Sequence, residues 1–327
     1  SLMKKRSLTI VVLVIVMIIL GVIIVDFLGN RPDRRGKNPY ALKIDQYTVV
    51  DDSLISHKET RNFSLGLMIP SDMSLHENKL YISGNSVLVV LPLDGAEANV
   101  LEILPGATSL EVDSHHIFIG LGSYVAKYNH EGELLQEWPD LGERTVITNL
   151  AIKGDNIYVA DAGNRRIVIF DRDGEQKGQF EGKSESEAGH GFIVPSANFD
   201  LAVNSFGELW VVNPGKHALE DYSDDGRMRG FWESRSFEID GFLGCCNPAR
   251  ICTMEDGSFV TSEKGLVRIK IYDQSGKLLS VVAPPELFSG EDLKAPEVCA
   301  DEDGVIYALD FEKDMVRVFE PIEQANE

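Results

Sequence analysis

The segment Leu150–Phe180, LAIKGDNIYVADAGNRRIVIFDRDGEQKGQF, is the clearest indication of the fold of this chain. It contains four short strand-like runs, which read LAI, IYVAD, RIVIF and QKGQF. The residue pairs between the runs, Gly154–Asp155, Gly163–Asn164 and Asp173–Gly174, favour tight turns. No stretch keeps a helical period, so the segment predicts one antiparallel sheet of four strands.

Units of the same design recur along the chain at a period of about 40 to 50 residues, which is typical of propeller blades. The other copies are Met73–Gly95, Leu110–Trp138, Leu201–Phe231, Ile251–Val282 and Val298–Glu320. We therefore predict an all-β, six-bladed β-propeller over residues 44–320. An open ring or a seven-bladed ring is the alternative.

The two ends of the repeat region indicate how the ring closes. The sixth unit stops at Val318–Phe319, after its third strand, whereas the strand-like run YTVVD at residues 47–51 precedes the first unit. If the N-terminal run supplies the missing outer strand, the sixth blade is complete and no strand edge stays exposed. We predict a closing strand at about residues 47–51.

The stretch VADAGNRRIVIF at Val159–Phe170 resembles the blades of the NHL-repeat family of β-propellers, which carry a similar VADxxNxRIxxFD pattern. The segments GCCNP at Gly244–Pro248 and TSEKGLVRIKIY at Thr261–Tyr272 are similar to a membrane-anchored bacterial subgroup of that family. The resemblance implies the propeller fold and a binding role. It identifies no ligand, and some relatives are metal-dependent lyases or hydrolases.

The N-terminal region differs in character from the repeats. Leu8–Leu28 is almost continuously apolar and has about the 20 residues that a membrane-crossing helix needs. We interpret residues 1–28 as an uncleaved signal anchor, residues 29–43 as a polar tether and residues 321–327 as a polar tail. A short basic tail before the first apolar segment stays in the cytoplasm, so we expect the propeller on the periplasmic or extracellular side.

The charge is distributed unevenly. Up to Tyr40 there are seven Lys or Arg and two Asp, a net charge of +5, which leaves −26 of the total of −21 on the remaining residues. A body this acidic repels phosphates, so the composition excludes nucleic-acid binding. It favours a basic partner, although solubility alone would also explain the charge.

Strand direction alternates within a blade, so the loops between second and third strands share one face with the links between blades. We name this the loop face, and the face with the remaining short turns the turn face. The loop face collects the long segments 161–165, 213–217, 244–248, 262–265, 310–314, 181–200, 232–247 and 283–297. A closing strand that starts at the turn face predicts that the tether enters there, so that the loop face points away from the membrane.

The residues that we expect to bind a ligand lie on the loop-face segments. They are Asp161, Asn164, Arg165, Asn213, His217, Cys245, Cys246, Asn247, Glu263 and Lys264. Among them, Arg165 is the better ligand candidate, because a guanidinium recognises carboxylates well. Asp161 also has a structural interpretation, as a partner of neighbouring backbone. For Glu263 and Lys264, with Arg268, the alternative is that they pair with one another.

The adjacent pair Cys245–Cys246 is unusual. Outside the cytoplasm it favours a vicinal disulfide, for which Gly244 and Pro248 would supply a sharp turn. Free thiols, pairing with Cys252 or Cys299, and soft-metal or redox chemistry are the alternatives.

The sequence predicts no cofactor. His190 and His217 are weak zinc candidates, because zinc catalysis needs three protein ligands and no spacing here supplies them. The Asp–Gly turns resemble calcium ligands but lack the spacing of an EF-hand, so calcium is likewise only an alternative.

These patterns favour a membrane-anchored binding or scaffold module for an envelope protein or a peptide-like ligand. The alternatives are an enzyme, either a metal-dependent lyase or hydrolase or a redox protein using Cys245–Cys246, and a structural subunit of a membrane complex.

Overall fold

The structure of this chain is a computed structural model that describes residues 14–23, 25, 47–66, 69–183 and 191–322. The chain divides into two compact units, Ser1–Lys43 and Ile44–Glu327. In the first unit, residues 14–23 are helical. Within the described residues, no helix has both the length and the apolar character that crossing a bilayer requires. Much of the predicted membrane helix, the whole tether and residues 323–327 lie outside the described residues.

The described part of the second unit forms six four-stranded sheets. The first twelve strands are β1 (His57–Ser64), β2 (Pro70–His76), β3 (Lys79–Gly84), β4 (Val87–Pro92), β5 (Asn99–Glu102), β6 (Ser109–Val112), β7 (Ile117–Leu121), β8 (Tyr124–Tyr128), β9 (Leu134–Glu137), β10 (Ile147–Lys153), β11 (Asn156–Asp161) and β12 (Arg166–Asp171). The others are β13 (Gln176–Phe180), β14 (Leu201–Val203), β15 (Leu209–Asn213), β16 (Ala218–Tyr222), β17 (Met228–Glu233), β18 (Arg250–Thr253), β19 (Phe259–Ser262), β20 (Ile269–Tyr272), β21 (Leu278–Ala283), β22 (Glu297–Ala300), β23 (Ile306–Asp310) and β24 (Met315–Pro321).

The sheets are the six blades, and every pairing within them is antiparallel. Blades 1 to 5 take their strands in chain order, from β2–β5 to β18–β21. Each inner strand contacts the inner strand of the next blade, and β22 contacts β2. The prediction of an all-β, six-bladed propeller is therefore confirmed.

The ring closes through the N-terminus, but the predicted position of the closing strand is wrong. The sixth sheet has the order β1-β24-β23-β22, so its outer strand is His57–Ser64 and not residues 47–51. The sequence of β1, HKETRNFS, is polar because an outer strand is mostly exposed. The apolar run at 47–51 therefore has a stronger strand pattern in the sequence than β1, the actual outer strand.

Burial falls from the inner strands to the outer strand of each blade, which explains the sequence pattern. In blade 3, every residue of β11 after Asn156 is buried, whereas no residue of β13 is. Neighbouring blades pack through aromatic rings that lie against turn glycines. Each ring occupies the place where the Cβ of any other residue would be. Trp138 lies 2.4 Å from that position at Gly174, and Trp232 lies 2.5 Å from it at Gly276. These glycines therefore let the outer end of one blade pack against the turn of the next.

The chain before β1 reaches the propeller at an unexpected place. Thr48–Asp52 lie against Gly265–Val267 and Pro285–Phe288, the second-to-third-strand loop of blade 5 and the link to blade 6. The ring of Tyr47 lies 6.2 Å from that of Phe237, in the preceding link. These segments belong to the loop face, whereas β1 starts at the turn face as predicted, where His57 Nε2 lies 3.0 Å from the carbonyl oxygen of Gly304. The predicted tether, residues 29–43, lies outside the described residues, so its entry point and the orientation of the loop face relative to the membrane stay predictions.

Candidate functional site

The second-to-third-strand loops of blades 3, 4 and 6 share one local design. Each begins with a buried acceptor, which is Asp161, Asn213 or Asp310. Each ends with a residue at positive φ directly before the third strand: Arg165 (55°), His217 (56°) and Asp314 (48°). Residues other than glycine rarely adopt a positive φ, so the hydrogen bonds of the buried acceptor are needed to hold the loop in this conformation.

Asp161 is that acceptor in blade 3. Its carboxylate accepts hydrogen bonds from the Val146 amide (3.2 Å), the Asn164 side chain (2.8 Å) and Arg166 Nε (2.9 Å). Asp161 is fully buried, which favours its structural interpretation as a partner of neighbouring backbone. Asn164 belongs to the same network, which leaves Arg165 as the exposed residue of this loop.

Asn213 has the same role in blade 4. Its side chain accepts from the Ile193 amide at 2.9 Å and donates to Gly191 O (3.2 Å) and to Glu220 Oε1 (3.0 Å). Asn213 is therefore also buried in a hydrogen-bond network of the protein itself. His217 is half-buried, and its Nδ1 lies 2.8 Å from the carbonyl oxygen of Asn247.

Glu263 likewise lies beneath the rim. Its carboxylate pairs with Arg268 Nη2 at 2.7 Å and with Lys270 Nζ at 2.9 Å, and all three residues are fully buried. It also accepts from the Leu243 amide at 3.1 Å. Burial lowers the pKa of Lys270 to about 8, against the opposing effect of the Glu263 charge. The trio therefore fixes the segment that leads to the paired cysteines.

The cysteine pair lies on this support, and its loop is held from both sides. Asn247 is buried, accepts from the Lys264 amide at 2.9 Å and donates to the Lys264 carbonyl oxygen at 3.0 Å. Lys264 Nζ donates to Ser196 Oγ at 3.1 Å. Cys245 is exposed and Cys246 is buried, and their sulfurs lie 3.1 Å apart without a bond. The structure thus brings His217, Asn247, Lys264 and both cysteines together.

Arg144 is a loop-face residue that the sequence reasoning missed. Its carbonyl oxygen lies 1.7 Å from the position that a Cβ of Gly163 would occupy, so its backbone packs directly on the loop that carries Arg165. Both arginines are exposed, and among the described residues neither side chain makes an ion pair or a hydrogen bond. Only the close contact at Gly163 shows that Arg144 lies beside the loop of Arg165, and no pattern in the sequence indicates that contact.

The central channel holds a second polar cluster. Each blade places one polar residue in or directly before its inner strand, four or five positions ahead of the turn that follows; these residues are Asp72, Ser109, Asn149, Asp200, Arg250 and Glu297. Arg250 Nε lies 3.1 Å from Glu297 Oε2, and its Nη1 donates across the channel to Thr148 O at 3.3 Å. Burial raises the pKa of Asp72 to about 7 and the pKa values of Asp200 and Glu297 to about 8.

The inner strands also line a cavity of about 230 Å³. This is smaller than the roughly 300–1,000 Å³ of small-molecule sites, so the channel is a poor candidate for an organic ligand. In the described part of the chain, no three His, Cys, Asp or Glu side chains are grouped so that they would hold a metal ion. His190 lies outside the described residues.

No model of a protein family matches this chain, and no curated protein matches its sequence. Solved structures match its fold. A streptogramin B lyase is 12% identical, with a TM-score of 0.57 over 83% of this chain and 100% of that chain. Virginiamycin B lyase from Staphylococcus aureus is 13% identical, with a TM-score of 0.55 over 80% of this chain and 99% of that chain. The WD40 β-propeller domain of Doa1 is 11% identical, with a TM-score of 0.54 over 82% and 98%. At such identities the likeness concerns the fold alone, and the chain is a six-bladed β-propeller.

Proposed function

We propose that this chain is a binding module, an NHL-type propeller that recognises a protein or a peptide-like ligand on its loop face. Membrane anchoring and a position outside the cytoplasm are part of the proposal. They are supported by the apolar run Leu8–Leu28 and by the short basic tail before it. The NHL character is supported by the stretch VADAGNRRIVIF and by the GCCNP segment.

The observation that carries the proposal is the pair of unpaired arginines on the loop face. The chain has 52 Asp and Glu against 31 Lys and Arg, so carboxylates are in excess as partners for cations. Arg166, Arg172 and Arg229 each pair with an acidic residue. Arg144 and Arg165 have no such partner among the described residues. Two arginines on packed loop-face segments suit a ligand that presents a carboxylate, because each guanidinium donates in a planar fork.

A rigid blade framework favours recognition at this place. The buried network of Asp161 fixes the loop, and the contact between Arg144 O and Gly163 fixes the adjacent link. A preorganised surface loses little conformational entropy when a ligand binds, so more of the contact energy appears as affinity.

Crosslinking in intact membranes tests the proposal. We expect proteins that are crosslinked to the full chain to be lost, by about tenfold or more, when both arginines are reversed in charge (Arg144→Glu with Arg165→Glu). The matched control is Arg227→Glu on the turn face, where the arginine is exposed and pairs with Asp225 at 2.9 Å. Equal recovery with the double variant, or an equal loss with the control, would contradict a loop-face site.

A further inference from the structure

We infer that Cys245 and Cys246 form a dithiol site that exchanges with disulfides at the loop face, with Cys245 as the sulfur that meets the incoming disulfide and Cys246 as the sulfur that resolves it. The partner class is a compound or a protein segment with an accessible disulfide. The inference does not depend on the proposed ligand at Arg165, because the two sites use different residues.

The positions of the two sulfurs carry the first step of the argument. They lie 3.1 Å apart, while a disulfide bond is about 2.05 Å long, so a closure of about 1 Å joins them. Gly244 precedes the pair at a φ of +88°, and Asn247 follows it, anchored to the backbone of Lys264. The pair is therefore held in contact by the loop on both sides.

The difference in exposure assigns the two roles. Cys245 is exposed, so an incoming disulfide reaches its sulfur first, whereas Cys246 is only 3% exposed. The buried sulfur lies near Ser196 and Lys264, which also bond to each other. A buried thiol beside a cation is suited to act within the protein after the first exchange.

The ionisation of the pair favours Cys246 as the attacking sulfur of the second step, because its thiolate forms more readily. Burial raises the pKa of Cys246, but hydrogen bonds with Ser196 and Cys245 and the charge of Lys264 outweigh it and lower that pKa overall. The hydrogen bond to Cys246 raises the pKa of Cys245, so the first step is assigned to Cys245 by its exposure and not by its ionisation. Burial raises the pKa values of Cys252 and Cys299 far above the ordinary thiol value, so these two cysteines do not compete.

The exchange balances in two steps. Cys245 Sγ bonds to one sulfur of R–S–S–R′, the S–S bond breaks, and R′S⁻ leaves and takes up the proton that Cys245 releases. Cys246 Sγ then attacks Cys245 Sγ, the bond to RS breaks, and RS⁻ leaves with the proton of Cys246. The cysteines are oxidised by two electrons to a vicinal disulfide, and the partner is reduced by the same two electrons to two thiols.

The test uses 5,5′-dithiobis(2-nitrobenzoate) on the folded, fully reduced chain. We expect two coloured thiolates per chain, no retained adduct, and a peptide spanning Cys245 and Cys246 that has lost two hydrogens. Cys246→Ser should stop after one thiolate, with the adduct on Cys245. Cys245→Ser should react about tenfold more slowly, because the remaining sulfur is buried.

Substitutions of Lys264 distinguish whether its charge takes part in the exchange or only supports the fold. Lys264→Met should slow the loss of the adduct about tenfold near neutral pH and move its pH profile upward, and Lys264→Arg should restore both. A variant that unfolds would expose Cys252 and Cys299 and release more than two thiolates, so the count itself reports on folding. Stable adducts on both cysteines of the unchanged chain, or a rate that is insensitive to Cys245→Ser, would overturn the inference.

Discussion

At the scale of single residues, the cluster in the channel makes stability depend on pH. Asp72, Asp200 and Glu297 surround one cation, Arg250, so this cluster holds more buried carboxyls than cations. Their pKa values rise from 3.8 or 4.5 to about 7 or 8, with burial as the main cause. In the folded state these groups therefore hold protons that they release on unfolding at neutral pH.

The sign of the pH effect follows from linkage. The pKa of each carboxyl is higher in the folded state than in the unfolded state. Its contribution to the free energy of unfolding is therefore fully present below the unfolded-state pKa and is lost as the pH rises through the folded-state pKa. We expect the free energy of unfolding to fall between about pH 4 and pH 8, by up to about 1.4 kcal/mol per pH unit for each group.

Asp200→Asn tests this expectation. The amide keeps an acceptor for the Ile251 amide, which lies 2.6 Å from the carboxylate, and removes one titrating group. Denaturant unfolding from pH 5 to pH 8.5 should show a shallower decline than in the unchanged chain. The exposed control Glu302→Gln should keep the original slope. An identical slope in Asp200→Asn would show that the channel carboxyls do not set the pH dependence.

Residue roles were also where sequence reasoning was least reliable. Asp161, Asn213 and Glu263 were expected on the rim, and all three are buried in networks of the protein itself. A polar residue after a buried strand has the same sequence pattern whether it points outward or folds back to accept backbone amides. Neighbours such as the Val146 amide decide between the two, and they belong to a different segment.

At the scale of elements, the contact of the blade 3 loop with the preceding link should be sensitive to a single methyl group. Gly163→Ala would place its Cβ 1.7 Å from Arg144 O, so the loop and the link must separate. We expect a loss of about 2–3 kcal/mol in the free energy of unfolding, together with weaker ligand binding at Arg165.

Gly230→Ala is the matched control, because nothing lies within 4 Å of its Cβ position. Its free energy of unfolding should stay within about 0.5 kcal/mol of the unchanged chain. Equal stability of the two alanine variants in a denaturant titration would show that the loop and the link are not packed as described.

Elements were well predicted where local patterns determine them. The inner three strands of each blade carry apolar runs between turn pairs, and the six repeats follow from them. Outer strands such as β1 are polar and exposed, so only their pairing identifies them. That pairing joins residues about 260 positions apart, as in the 2.5 Å ion pair of Arg317 with Glu59, which no local pattern contains.

At the scale of the whole molecule, β1 should be essential to the ring. Removing residues 1–64 would leave β24 as an unpaired edge. We expect a melting temperature lower by on the order of 10 °C and self-association through that edge. Removing only residues 1–43, the other compact unit, should leave the propeller's melting temperature unchanged. Equal melting temperatures for the two truncations would contradict the closure through β1.

The central claim is that the ligand binds on the loop face. The most direct measurement places a photocrosslinking amino acid at one of two exposed positions. One is Glu143, in the link between blades 2 and 3 on the loop face, and the other is Asp155, in the turn between β10 and β11 on the turn face. Irradiation of intact membranes should attach a partner to the chain at position 143 and not at position 155. Attachment at position 155 alone, or equally at both positions, would contradict the claim.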